Sequence, residues 1–113
     1  MDTRAKIAAA GAAPALPPGT RVVSGYFDPL LRAHADQLAA LRQGHPALAV
    51  VITDPLQPLL PARARAELVA ALECVDAVFL AGGDAPTPHL RLEAHHDRLR
   101  DEFLRRVRAR QSS

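Results

Sequence analysis

At 113 residues the chain has the length of one small domain, and with 49% apolar but only 4% aromatic residues, Leu, Val and Ala must build its core. Fourteen Lys and Arg against twelve Asp and Glu leave a net charge of +2, too small to imply a nucleic-acid partner by itself. The single cysteine, Cys74, excludes an internal disulfide, and no apolar run is long enough to cross a membrane; a reducing, cytoplasmic setting is expected.

Residues 1–20 read as a flexible N-terminal segment, because Gly11 and Pro14 interrupt the alanine run and Pro17, Pro18 and Gly19 form a stiff turn. The domain proper is expected over 21–110. Arg21 to Ser24 reads as a strand centred on Val22 and Val23, broken by Gly25 and followed by a loop over 26–32. A helix is expected from Ala33 to Gln43, with Leu38 and Leu41 inward and Gly44 as its stop. LAVVI, residues 48–52, is a continuous apolar run of the kind found in strands buried on both faces. Thr53, Asp54 and Pro55 end it, and a proline-stiffened connection leads to a helix over 62–73. VDAVFL, residues 75–80, reads as the third strand, AGGDAPTP as a turn-rich loop, and His89 to Leu92 as a short fourth strand. The last helix is expected from Glu93 to Arg110, with Leu99, Phe103 and Val107 four apart on one face.

The alternation of strands and helices, without half-exposed strand patterning, predicts an α/β fold: a small three-layer domain with a mostly parallel sheet between helices. In such sheets ligands bind at the carboxyl ends of the strands. The stretch VVSGYFDPLLRAH runs across the first of these ends. Gly25 would let the backbone turn and approach a ligand. Unsatisfied N–H groups at the start of the next helix attract anions. His34, in the first turn of that helix, can donate to a phosphate oxygen, and Asp28 before Pro29 can cap local N–H groups. Each residue also has an ordinary structural use: a turn glycine, a surface or core histidine, a cap.

Taken together, GYFDPLLRAH resembles the signature of the nucleotidyltransferase, or cytidylyltransferase-like, superfamily, in which a glycine and a phenylalanine–aspartate pair precede histidine, any residue, glycine and histidine. Gly25, Phe27, Asp28 and His34 match, while Leu31 stands at the first histidine and Ala33 at the glycine. LPARARAELVAALECVDAVFL, residues 60–80, is similar to the arginine-led helix and V-D strand of heptose-phosphate adenylyltransferases and glycerol- or ethanolamine-phosphate cytidylyltransferases, through Arg65, Leu68, Leu72, Val75, Asp76 and Val78. The resemblance covers roughly residues 20–80 and implies a Rossmann-like fold. It also implies transfer of a nucleotidyl group from CTP or ATP, with Mg2+, to a small phosphorylated molecule, with release of pyrophosphate. Carried over by position, His34 is the catalytic, phosphate-stabilising histidine. Gly25, Tyr26, Phe27, Asp28 and Arg65 are the nucleotide-binding residues, and no protein-held metal site is implied.

Leu31 can neither donate a hydrogen bond nor carry charge, and a lost donor at developing phosphoryl charge costs about 100- to 1000-fold in comparable sites. The lysine that family members often carry after the second strand is also absent, since Lys6 is the only lysine. The expectation is therefore a degenerate nucleotide-binding or partner-binding module with weak or no transferase activity. An active transferase is the alternative, and a homodimer is expected in either case. A third reading is nucleic-acid binding through the six arginines between Arg98 and Arg110. Asp101 and Glu102 among them favour a solvated helix face instead. His95 and His96 point about 100° apart on a helix, too divergent to chelate one metal with His89, and read as a solvated helix start. Cys74, between Leu72 and Val75, reads as core packing.

Overall fold

Three apolar runs and one short addition become a four-stranded sheet. The computed structural model describes residues 3–8, 16–82 and 85–112. Its strands are β1 (Arg21–Gly25), β2 (Leu48–Ile52), β3 (Ala77–Leu80) and β4 (Leu90–Arg91), and its helices α1 (Arg32–Arg42), α2 (Ala62–Ala70) and α3 (Glu93–Ser112). The sheet order is β3-β2-β1-β4 and every pairing is parallel, a small Rossmann-like α/β domain as the sequence implies. No described helix is long and apolar enough to cross a membrane.

The five residues of LAVVI are all buried because β2 is central and both faces are covered. Its side chains alternate. Leu48, Val50 and Ile52 join Val23, Val78, Leu38, Ala66 and Val69 in the larger core, which lies beneath α1 and α2. Ala49 and Val51 join Val22, Ala77 and Phe79 on the other face, against Ala8, Leu16 and Ala85. Each fully buried Val, Leu or Ile contributes about 1.5–3 kcal/mol relative to exposure.

Element boundaries shift for local reasons. β3 begins at Ala77 rather than Val75, because the Asp76 carboxylate takes the Leu48 N–H at 2.8 Å and the Arg42 guanidinium at 3.0 Å. α2 ends at Ala70, and the chain turns through 71–74. α1 stops at Arg42, and Gly44 adopts φ +80° just after it, the left-handed conformation a helix-terminating glycine supplies. α3 reaches Ser112, two residues beyond expectation.

The N-terminal segment departs from the loose reading where it is described. Thr3–Lys6 forms a 3-10 turn, Ile7 makes a parallel bridge to Val78 and is only 8% exposed, and Lys6 donates to the Leu72 carbonyl. Ile7 in the larger core, Ala8 against the other face and the Ala8 N–H on the Val78 carbonyl at 2.9 Å thus dock the segment on the edge of β3. Residues 9–15, with Gly11 and Pro14, and the loop pair Gly83 and Asp84 lie outside the described residues.

Candidate functional site

In this strand order the chain moves from β1 to β2 to β3, then returns to the far side of β1 for β4. The connections therefore diverge at the β1–β4 boundary, where open α/β sheets form a crevice. Three segments meet there: Gly25 to Leu31 after β1, Thr53 to Leu60 after β2, and the first turns of α3 after β4. Backbone bonds tie them to the sheet, Thr53 N donating to Gly25 O at 3.0 Å and Leu92 N to Ser24 O at 2.8 Å.

Gly25 is required by space rather than by backbone conformation. Positive φ occurs at Gly19, Gly44 and Gly82, not at Gly25. A Cβ on Gly25 would lie 2.2 Å from His96 Cε1, 2.6 Å from its Nδ1 and 2.8 Å from Phe27 Cε2. The close neighbour of this glycine is therefore the His96 ring. His96 Nδ1 accepts the Tyr26 N–H at 3.0 Å and the Phe27 N–H at 3.4 Å, closing the turn after β1. Phe27 adopts φ +47°, a region that costs a non-glycine residue about 1–3 kcal/mol. Complete burial of its ring against two mutually touching histidines holds it there: its centroid lies 4.4 Å from His96 and 5.6 Å from His34.

His34 is 1% exposed. Its Nδ1 accepts the Leu31 N–H at 2.8 Å, the task a Glu or Gln side chain performs in a capping box, so it fixes the start of α1. His34 and His96 meet edge to face with centroids 4.3 Å apart. Because each accepts at Nδ1, each carries its proton on Nε2, and both Nε2 atoms are buried with no hydrogen-bond partner. Burial pushes His34 down to about 4, helped by the charge of His95; burial, then His34 and His95, push His96 down to about 3. Both rings are neutral at pH 7.

Asp28 and Arg65 hold the loops. The buried Asp28 carboxylate accepts the Leu59 N–H at 2.6 Å and the Leu60 N–H at 2.8 Å, clamping the connection ahead of α2. The fully buried Arg65 donates to the carbonyls of Leu60, Tyr26 and Thr53 at 3.0, 3.0 and 2.7 Å, and to Asp54 Oδ1 at 2.5 Å. One guanidinium thus joins the ends of β1 and β2 to the start of α2, a use of its rigid fork that lysine could not copy. Glu93, in the first turn of α3, accepts from Ser24 Oγ at 2.6 Å and Thr53 Oγ1 at 3.2 Å through Oε1, while its Oε2 is buried and unpartnered.

Beside this cluster a cleft of about 360 Å³ opens to solvent, lined by Tyr26, Pro55, Leu56, Gln57, Asp97 and Arg100. Arg100 spans it, donating to the Gln57 carbonyl at 2.6 Å. Desolvation, then the charges of Asp97 and Glu93, raise the Tyr26 hydroxyl above its ordinary value. Leu31 and Ala33 do not face this cleft. They share a groove of about 320 Å³ with Leu99 and Phe103 of α3.

The residues singled out from sequence thus converge on one end of the sheet. Gly25, Phe27, Asp28, His34 and Arg65 are all buried in its framework or make room for it, and Tyr26 alone lines the open cleft. The reading of His96 as part of a solvated helix start is overturned: it is 2% exposed, because Gly25 leaves a space that its ring fills. The signal for this lay in helical spacing, since His96 falls four residues after Leu92 and seven before Phe103, on the apolar stripe. His89 serves β1, its Nδ1 accepting the Val22 N–H at 3.1 Å. Cys74 packs, half-buried, against the larger core, and burial raises its thiol. Arg98, Arg105 and Arg106 are exposed along α3. No protein-family model matches the chain, and comparison with curated proteins gives no match.

Proposed function

We propose that the chain is a nucleotide-binding module of the nucleotidyltransferase-like kind, with weak or no transferase activity. The observation that carries this reading is one of place. The stretch from Gly25 to His34 lies at the switch point of a parallel sheet ordered β3-β2-β1-β4, and an open cleft adjoins it. Tyr26 and Leu56 offer apolar surface for a base, and Arg100 offers charge for a phosphate.

The departures from the family pattern support the weak-activity half of the reading. Leu31 supplies no donor, and it shares its groove with α3 rather than with the cleft. His34 is closed over by Phe27 and His96. Hydrogen-bond donors aimed at the transferring phosphoryl group supply much of such catalysis, and within the signature stretch Leu31 replaces one and His34 is covered. A Mg2+ ion fits as a passenger on the triphosphate. Mg2+ is commonly held by one or two carboxylates plus substrate phosphates, and Asp97 is the carboxylate at the cleft that would reach it.

Equilibrium dialysis against labelled CTP and ATP, with and without Mg2+, tests the binding. A coupled pyrophosphate-release assay with glycerol phosphate and ethanolamine phosphate tests the transfer. The account expects saturable binding of at least one nucleotide and little pyrophosphate. Rapid pyrophosphate release would favour the active transferase, and no binding at millimolar nucleotide would remove the nucleotide reading altogether.

A further inference from the structure

We propose that His96 is the second phosphate-binding donor of this site, paired with His34 across two helices to take the oxygens of one phosphoryl group. The inference rests on the nucleotide reading above and adds to it a residue outside the signature stretch. Three observations carry it.

The first is the orphaned donors. His34 Nδ1 is occupied by the Leu31 N–H and His96 Nδ1 by the Tyr26 N–H, so the tautomer of each ring is fixed with its proton on Nε2. Both Nε2 atoms are buried without an acceptor. A buried donor left unpaired costs about 1–3 kcal/mol, and native proteins keep few of them. An N–H turned on a ring face in the edge-to-face contact of the two imidazoles is only a second-order substitute.

The second is proximity. The ring centroids lie 4.3 Å apart, although His34 comes from α1 and His96 from α3. Two Nε2–H donors carried on adjacent rings would suit the several oxygens of a tetrahedral anion. A single water would offer its two lone pairs to the same two donors, and is the competing occupant.

The third is the space made for the ring. Gly25 lacks the Cβ that would collide with His96, and His96 in turn holds the Tyr26 and Phe27 amides of the signature turn. His96 is thus built into the same turn that carries the sequence signature. A ligand reaching the pair must part Phe27 from the two imidazoles, and Phe27 is the residue whose backbone is held in the left-handed region.

The test uses the full chain, labelled with 15N, at pH 7. Two-bond 1H–15N spectra of the imidazoles report the tautomer and the environment of each Nε2. Inorganic pyrophosphate, Mg2+–CTP and Mg2+–ATP are titrated in turn. The expected result is the Nε2–H tautomer at both rings in the free protein and movement of both Nε2–H signals on saturation with pyrophosphate or nucleotide. Nucleotide-dependent amide shifts with an unmoved His96 signal would overturn the proposal and leave the nucleotide reading standing. Absence of any shift at millimolar ligand would overturn both. As a second arm, His96→Leu is expected to weaken pyrophosphate binding at least about tenfold, and His96→Gln, which keeps a donor near the ε position, to recover part of the loss. Unchanged affinity in His96→Leu would also overturn the proposal.

Discussion

At the scale of single residues, the site is governed by what surrounds each group. Gly25 is the plainest case. An alanine there would place its Cβ 2.2 Å from the His96 ring, within a core that cannot expand cheaply. Overpacking of this kind costs about 1–3 kcal/mol. Gly25→Ala is expected to lower the urea midpoint accordingly, and Gly25→Ala combined with His96→Ala to lose less than the sum of the two single changes. Simple additivity in that double-mutant cycle would contradict the packing account. The histidine pair gives a second prediction. Each ring takes a proton near 6.5 when unfolded, but only at about 4 for His34 and at about 3 for His96 when folded. The unfolded chain therefore binds more protons between these values. The stability contributed by the neutral rings is complete above pH 6.5 and is lost as pH falls toward the folded values, at about 1.4 kcal/mol per pH unit for each group. Thermal melting followed between pH 7 and 5, above the ordinary carboxylate range, is expected to show a steep fall that His96→Gln makes shallower. A flat profile would contradict burial of the pair.

At the scale of elements, the connections matter more than the helices they join. The segment between β2 and α2 contains three prolines and makes little regular structure, yet Asp28, from the previous loop, takes two of its amides. Asp28→Ala leaves the Leu59 and Leu60 N–H groups without their acceptor, at a cost of about 1–3 kcal/mol. Faster hydrogen exchange at those two amides, with the central β2 amides unchanged below the global limit, is the expected signature. Uniform protection across the segment would show that the clamp is dispensable. These contacts mark the limit of what the sequence makes legible. Apolar runs and the helix-stopping glycine predict β1, β2, α1 and α3 to within one or two residues, because those signals are local. The end of α2 and the start of β3 are set by a turn at 71–74 and by Asp76 crossing to Leu48, which no local pattern reveals. Asp28 reaches 31 and 32 residues along the chain, and His96 reaches back 70 residues to Tyr26. The residues of the signature stretch gather at one end of the sheet, but their buried neighbour on α3, His96, was visible only as one more position on an apolar stripe.

At the scale of the whole molecule, four parallel strands ordered β3-β2-β1-β4 place the loops after β1 and β2 and the start of α3 around one crevice. Arg65, Asp28 and Glu93 fix those loops by hydrogen bonds to the backbone or to Ser24 and Thr53, so the framework is rigid and the exposed cleft is left to Tyr26, Gln57, Asp97 and Arg100. The central claim is that this crevice still receives a nucleotide although the donors of the signature stretch are reduced to His34. The most direct measurement is an amide-shift titration of the labelled chain with CTP and ATP, with and without Mg2+. The account predicts shifts centred on Gly25 to His34 and extending to Gln57, His96, Asp97 and Arg100, with β2 and β3 residues on the far face unmoved. Shifts confined to the arginines of α3, or none at millimolar nucleotide, would contradict it.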